Sequence, residues 1–140
     1  MAINDDAEIR ELLGQPRRIA VVGASPNPAR PSNGVLAFLV RQGHDVIAVN
    51  PGHAGTTIHG APVVATLADV EPPADIVDIF RASDQAGAAV DEAIVQGAKA
   101  VWLQIGVIDD AAAKRAAAAG LTVVMDRCPK IEVPRLGLLR

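Results

Sequence analysis

Aromatic residues are almost missing from this 140-residue sequence: Phe38, Phe80 and Trp102 are the only three, and tyrosine is absent. That removes the stacking platforms on which single-stranded nucleic acids bind and leaves the core to Val, Ile, Leu and Ala. Cysteine occurs once, at Cys128, which excludes an internal disulfide and a cysteine-built zinc cage and suits a reducing compartment. Half of the residues are apolar, yet no apolar run approaches the ~20 residues of a bilayer span. The opening Met1-Ala2-Ile3-Asn4-Asp5-Asp6 is acidic where a secretory leader would be basic and then apolar. A cytoplasmic protein without membrane contact is expected. Nor is basic charge in excess: 13 Lys and Arg against 16 Asp and Glu give a net charge of −3. The broad basic footprint of a nucleic-acid binder is therefore missing, while a local anion site stays open. His44, His53 and His59 lack the paired spacing of a metal site and belong to no Ser-His-Asp set. They are expected in solvated loops, and no metal site is expected.

What the sequence does contain is a steady alternation of strand-like and helix-like segments. Arg18-Ile19-Ala20-Val21-Val22-Gly23 is a continuous apolar run of strand length, as in a parallel strand covered on both faces. Four more strands are expected at 46–49, 75–80, 100–103 and 122–125, with helices over 4–13, 33–42, 83–96 and 109–119. Asn4 or Asp5 caps the first helix, and Gly14, Gly43, Gly97 and Gly120 end the four. A short strand near 57–58 and one helical turn at 67–70 fit between the second and third strands. This pattern predicts an α/β fold: a single Rossmann-like, doubly wound domain over 1–140, with a mainly parallel five-stranded sheet and helices on both faces. Residues 1–17 form the helix and lead-in, and 127–140, with two prolines and no period, an irregular tail. Asp75 and Asp78 are three apart, so on a strand they face opposite sides and make no carboxylate pair.

In such sheets ligands bind beyond the carboxyl ends of the strands, where the strand order reverses. Gly23 permits close backbone approach there, Ser25 and Ser32 offer hydroxyls, and the helix starting near Ser32 or Asn33 offers free N–H groups. Arg30 adds a cation whose planar fork suits phosphate. Together they describe an anion cradle. Dinucleotide binding of the G-x-G-x-x-G type would need glycine at positions 23, 25 and 28, where the chain has Gly23, Ser25 and Pro28. It would also need an acid where Asn50 ends the second strand. No Gly-Lys-Ser or Gly-Lys-Thr occurs, which excludes the P-loop.

Several blocks in order carry a more specific resemblance: Val22-Gly23-Ala24-Ser25-Pro26 with Arg30-Pro31-Ser32, Val49-Asn50-Pro51, Asp78-Ile79-Phe80-Arg81, Trp102-Leu103-Gln104-Ile105-Gly106 and Asp126-Arg127-Cys128. Over about residues 18–136 the chain resembles the coenzyme A-binding proteins related to the nucleotide-binding domain of the succinyl-CoA synthetase alpha subunit. The resemblance implies coenzyme A as the ligand, with Gly23, Ala24, Ser25, Arg30 and Ser32 at its diphosphate. It places Asn50 and Pro51 beside the adenosine, and Phe80, Arg81 and Ser83 along the other wall. Gln104 and Gly106 belong to the matching strand end, and Cys128 is a candidate contact for the thiol arm, where a mixed disulfide with CoA is conceivable. The domain that carries the phosphorylated histidine of the synthetase is not matched, so the expectation is a stand-alone, non-catalytic binder of CoA or acyl-CoA, or a regulatory subunit. A protein partner or a homo-oligomer is compatible with this. The alternatives are an NAD(P)-binding oxidoreductase and a CoA-ligase partner that needs a second chain.

Overall fold

A computed structural model describes residues 3–140. Seven strands form one sheet: β1 (Arg18–Val22), β2 (Asp45–Val49), β3 (Thr57–Ile58), β4 (Ala61–Val64), β5 (Ile76–Ile79), β6 (Ala100–Leu103) and β7 (Thr122–Met125). Their order is β3-β4-β2-β1-β5-β6-β7, and every pairing is parallel except the β3–β4 hairpin. The helices are α1 (Asp6–Leu13), α2 (Pro31–Arg41), α3 (Ser83–Gln96), α4 (Asp110–Ala118) and α5 (Pro129–Arg135).

Side-chain alternation along the central strands sorts the core into two layers. Ile19, Val21, Ile76, Trp102 and Val124 face α1, α2 and α5. Ala20, Val22, Val77, Ile79, Val101 and Leu103 face α3 and α4, which contribute mostly alanine, as at Ala86, Ala89, Ala93, Ala112 and Ala116. Both faces of β1, β5 and β6 are covered, which explains the unbroken apolar runs of β1 and β6.

The five-stranded sheet predicted from the sequence is corrected to seven. Ala61-Pro62-Val63-Val64 carries a proline, which argues against a strand interior. Only Val63 and Val64 pair with β2, however, so Pro62 interrupts no rung of the parallel ladder. The tail is corrected too, because part of it is α5. Pro129 stands at the start of that helix, where a missing N–H is no loss and its fixed φ is already helical. Asp5, whose carboxylate accepts from the Ala7 and Glu8 N–H groups, settles the cap of α1.

His44 is buried, not solvated. It sits below the amino ends of the strands, where its Nδ1 accepts the Arg17 N–H at 3.0 Å and its ring lies 3.2 Å from the Arg140 guanidinium. Arg140 is itself clamped by the Gln42 and Leu13 carbonyls. Burial first, then the cations Arg140 and Arg17, lower the imidazole pKa to about 4 from 6.5. Between those values the unfolded chain takes up a proton that the folded protein refuses, so stability is greatest above about pH 6.5 and falls toward pH 4. Between about pH 7 and pH 4.5, urea titrations should show the parent losing about 2 kcal/mol more than His44→Asn. The variant keeps an acceptor for Arg17 and cannot titrate; equal losses would refute the assignment.

Candidate functional site

The site begins where β1 stops. Gly23 has φ +82, a backbone state that glycine adopts without strain, and a Cβ there would collide with the Phe80 carbonyl. The Gly23 N–H donates to the Val49 carbonyl at 3.2 Å, and the Phe80 N–H donates to that of Val22 at 2.9 Å. The chain is thus pinned to both neighbouring strands as it turns off the sheet. Two side-chain amides then fix the loop: Asn50 Nδ2 donates to the Ala24 carbonyl at 2.8 Å, and Asn33 Nδ2 to the Ser25 carbonyl at 3.0 Å. Within the loop, Ser25 Oγ accepts the Asn27 N–H at 3.1 Å and Asn27 Oδ1 the Ala29 N–H at 3.0 Å. With these carbonyls held, the N–H groups of Ala24, Ser25 and Ser32 have no partner among the described residues. The first turn of α2 holds no acid and no side-chain cap, so its positive end is left uncompensated.

A cleft of about 680 Å³ opens over this loop, at the point where β1 is flanked by β2 on one side and β5 on the other. Gly23, Ala24, Ser25, Arg30 and Ser32 line it at the α2 end, with Asn50 and Pro51 from the β2 end. Phe80, Arg81, Gln104 and Cys128 line the remainder. Two of the expected residues are not part of the lining. Ser83 Oγ instead accepts the Ile108 N–H at 3.0 Å and donates to the Gly106 carbonyl at 3.2 Å, clasping the loop after β6 to the start of α3. Gly106 is the turn of that loop, and its N–H is held by Asp126 Oδ1 at 2.8 Å. Their work is to place Ile105 and Val107, which do line the cleft together with Val35 and which sequence reasoning passed over as ordinary apolar residues.

The cleft is cationic in a chain of net charge −3. Among the described residues no carboxylate lines it, and the guanidinium groups of Arg30 and Arg81 have neither a hydrogen bond nor an ion pair. Gln104 is buried, and its Oε1 has no partner among the described residues. At the Cys128 end, Arg127 is 3.6 Å from the buried Glu132.

The sequence profile of the CoA binding domain family matches residues 17–134. The chain belongs to that family. It is 37% identical over 128 residues to the uncharacterized protein YneT of Bacillus subtilis, covering 89% of this chain and 91% of that one. A hypothetical protein from Pyrococcus horikoshii shares its structure with a TM-score of 0.88 and 35% identity, over 97% of this chain and 96% of the other. At 24% identity, the dinucleotide-forming acetyl-coenzyme A synthetase 1 of Ca. Korarchaeum cryptofilum shares the fold, with a TM-score of 0.69, over 84% of this chain and 28% of its own. The family resemblance carried by the strand-end blocks is therefore met.

One feature of this CoA binding domain escaped the sequence. Asp78, in the middle of β5 between Val21 and Trp102, is 1% exposed, and neither carboxyl oxygen has a partner among the described residues. Alternation turns it toward the layer of Ile76, beneath the cleft and outside its lining. Burial pushes its pKa well above the usual 3.8, because an apolar surrounding disfavours the charged carboxylate. Since the unfolded chain releases this proton first, stability drops as pH rises above about 3.8. Asp78→Val, which removes an unsatisfied buried group from a strand, should stabilise the protein at neutral pH by about 1–3 kcal/mol, and by less in acid. A destabilised variant in urea titrations would show that Asp78 has a partner.

Proposed function

We propose that this chain binds coenzyme A or an acyl-CoA as a non-catalytic binding protein or regulatory subunit, with the ligand diphosphate on the loop 23–32. The observation that carries this reading is the presence of unpartnered donors in one cleft: the free N–H groups of Ala24, Ser25 and Ser32 and the open guanidinium group of Arg30 at the α2 end, with that of Arg81 in the remainder of the lining. Donors without a competing carboxylate suit a diphosphate, and an arginine fork can take two of its oxygens at once. The rest of the cleft suits an uncharged, amide-bearing arm. Val35, Phe80, Ile105 and Val107 supply apolar surface, Gln104 Oε1 offers an acceptor for an amide N–H, and Cys128 stands as a thiol contact. The cleft volume lies within the roughly 300–1,000 Å³ typical of small-molecule sites.

Coenzyme A in particular is supported by membership of the CoA binding domain family. The non-catalytic part rests on the lining, where the hydroxyls of Ser25 and Ser32 have no imidazole or carboxylate beside them among the described residues. An imidazole or carboxylate neighbour is the commonest means of activating such a hydroxyl.

Calorimetry with CoA, dephospho-CoA, NAD and ATP tests the reading. CoA is expected to bind most tightly; preference for NAD would overturn it, and turnover of an acyl-CoA by the chain alone would overturn the non-catalytic part. Arg30→Ala should weaken CoA by roughly 1.5–3 kcal/mol, as for a lost hydrogen bond to a charged group, with the thermal midpoint unchanged because the side chain is exposed and unpaired among the described residues. Undiminished affinity would remove Arg30 from the site.

A further inference from the structure

The β3–β4 hairpin turns at His59-Gly60, between the paired residues Ile58 and Ala61. His59 is exposed, yet its backbone has φ +48, a left-handed state that costs a side-chain-bearing residue and that glycine would hold without strain. The ring accounts for its presence. His59 Nε2 is 2.7 Å from Asn33 Oδ1, and Asn33, 7% exposed in the first turn of α2, donates from Nδ2 to the Ser25 carbonyl at 3.0 Å. A carbonyl can only accept, so Nδ2 faces Ser25 and Oδ1 faces the ring; the hydrogen bond therefore comes from a proton on His59 Nε2. One buried amide thus joins the hairpin tip to the loop that carries the free N–H groups.

We propose that His59 is a positioning residue for the phosphate-binding loop, acting through Asn33. This rests on the loop being the diphosphate site. Without the imidazole, the buried Asn33 Oδ1 loses its partner and the amide loses the constraint that aims Nδ2 at Ser25. A flipped amide would set its oxygen against the Ser25 carbonyl, two acceptors facing each other, and Ser25 would no longer be held with its N–H open to the cleft. The strain at His59 is then the cost of bringing a ring donor to this point.

Two substitutions separate the bond from the backbone. His59→Gly removes the donor and relieves the left-handed φ, so its thermal midpoint should not fall, while 15N relaxation of the ligand-free protein should show residues 24–30 loosened. Its CoA affinity by calorimetry should weaken roughly three- to tenfold, as for one hydrogen bond. His59→Gln places an amide N–H near the position of Nε2 but keeps the strain; it should hold loop order and affinity close to the parent despite a lower midpoint. Loop order and affinity both unchanged in His59→Gly would overturn the proposal, as would an equal loss of affinity in both variants. If the parent failed to bind CoA while His59→Gly still loosened the loop, the ligand assignment would fall and the link from His59 to the loop would stand.

Discussion

The cleft depends on the approach of the Gly23 backbone to the Phe80 carbonyl, a contact that leaves no room for a Cβ. β1 is the central strand, and where it ends its two neighbours diverge in chain order, β2 leading outward to the hairpin and β5 to the other half of the sheet. A loop leaving at that junction has to clear both strand ends at once, and only glycine combines the positive φ with so close a passage. Because Gly23 and Phe80 still exchange bonds with Val49 and Val22, the turn is rigid at its root. The donors two and nine residues further on inherit a fixed starting direction from the sheet.

Charge is distributed in keeping with that geometry. Arg17, Arg18, Arg115 and Arg135 are each within ion-pair distance of a carboxylate, and Arg140 is turned onto backbone carbonyls. Arg30 and Arg81, at the cleft, have no such partner among the described residues. An excess of acidic residues over the whole chain is therefore no obstacle to a local anion site, since distant exposed charges are screened by salt within about 10 Å while the two guanidinium groups share one concave surface.

Most of this could be read from the sequence wherever local pattern and tertiary outcome agree. The strands at 18–22, 46–49, 100–103 and 122–125 are buried on both faces and announce themselves as apolar runs; α3 begins and ends at the expected residues, stopped by Gly97 in a left-handed conformation. Two prolines hid regular structure. Pro62 and Pro129 argue against regular structure in general, but each occupies the one position where its missing N–H is harmless, at the edge of a parallel ladder and at the first residue of a helix. The loop residues 23–32 were found because they are contiguous. Asn33 and His59 were not, because their partnership spans 26 residues and a hairpin whose first strand is two residues long. His44 was misplaced for a related reason: a polar residue beside a glycine reads as loop, and only the packing of Arg17 and Arg140 around it makes the position buried.

Asp78 sharpens the distinction between a site that binds and a site that reacts. A buried carboxyl group whose pKa is raised by an apolar layer is the kind of perturbed group that often marks catalysis, and its nearness to the cleft invites that interpretation. Perturbation alone is not enough, however, because a general acid must also reach the reacting group within hydrogen-bond distance. Asp78 lies between Val21 and Trp102 in the sheet register and is absent from the cleft wall. The other strongly shifted group within the core, His44, is at the opposite end of the strands. The titratable side chains that do reach the cleft are two arginines and one thiol. Arginine at neutral pH holds anions but does not exchange protons with them, so of these three side chains only the Cys128 thiol has a proton to exchange with a bound ligand.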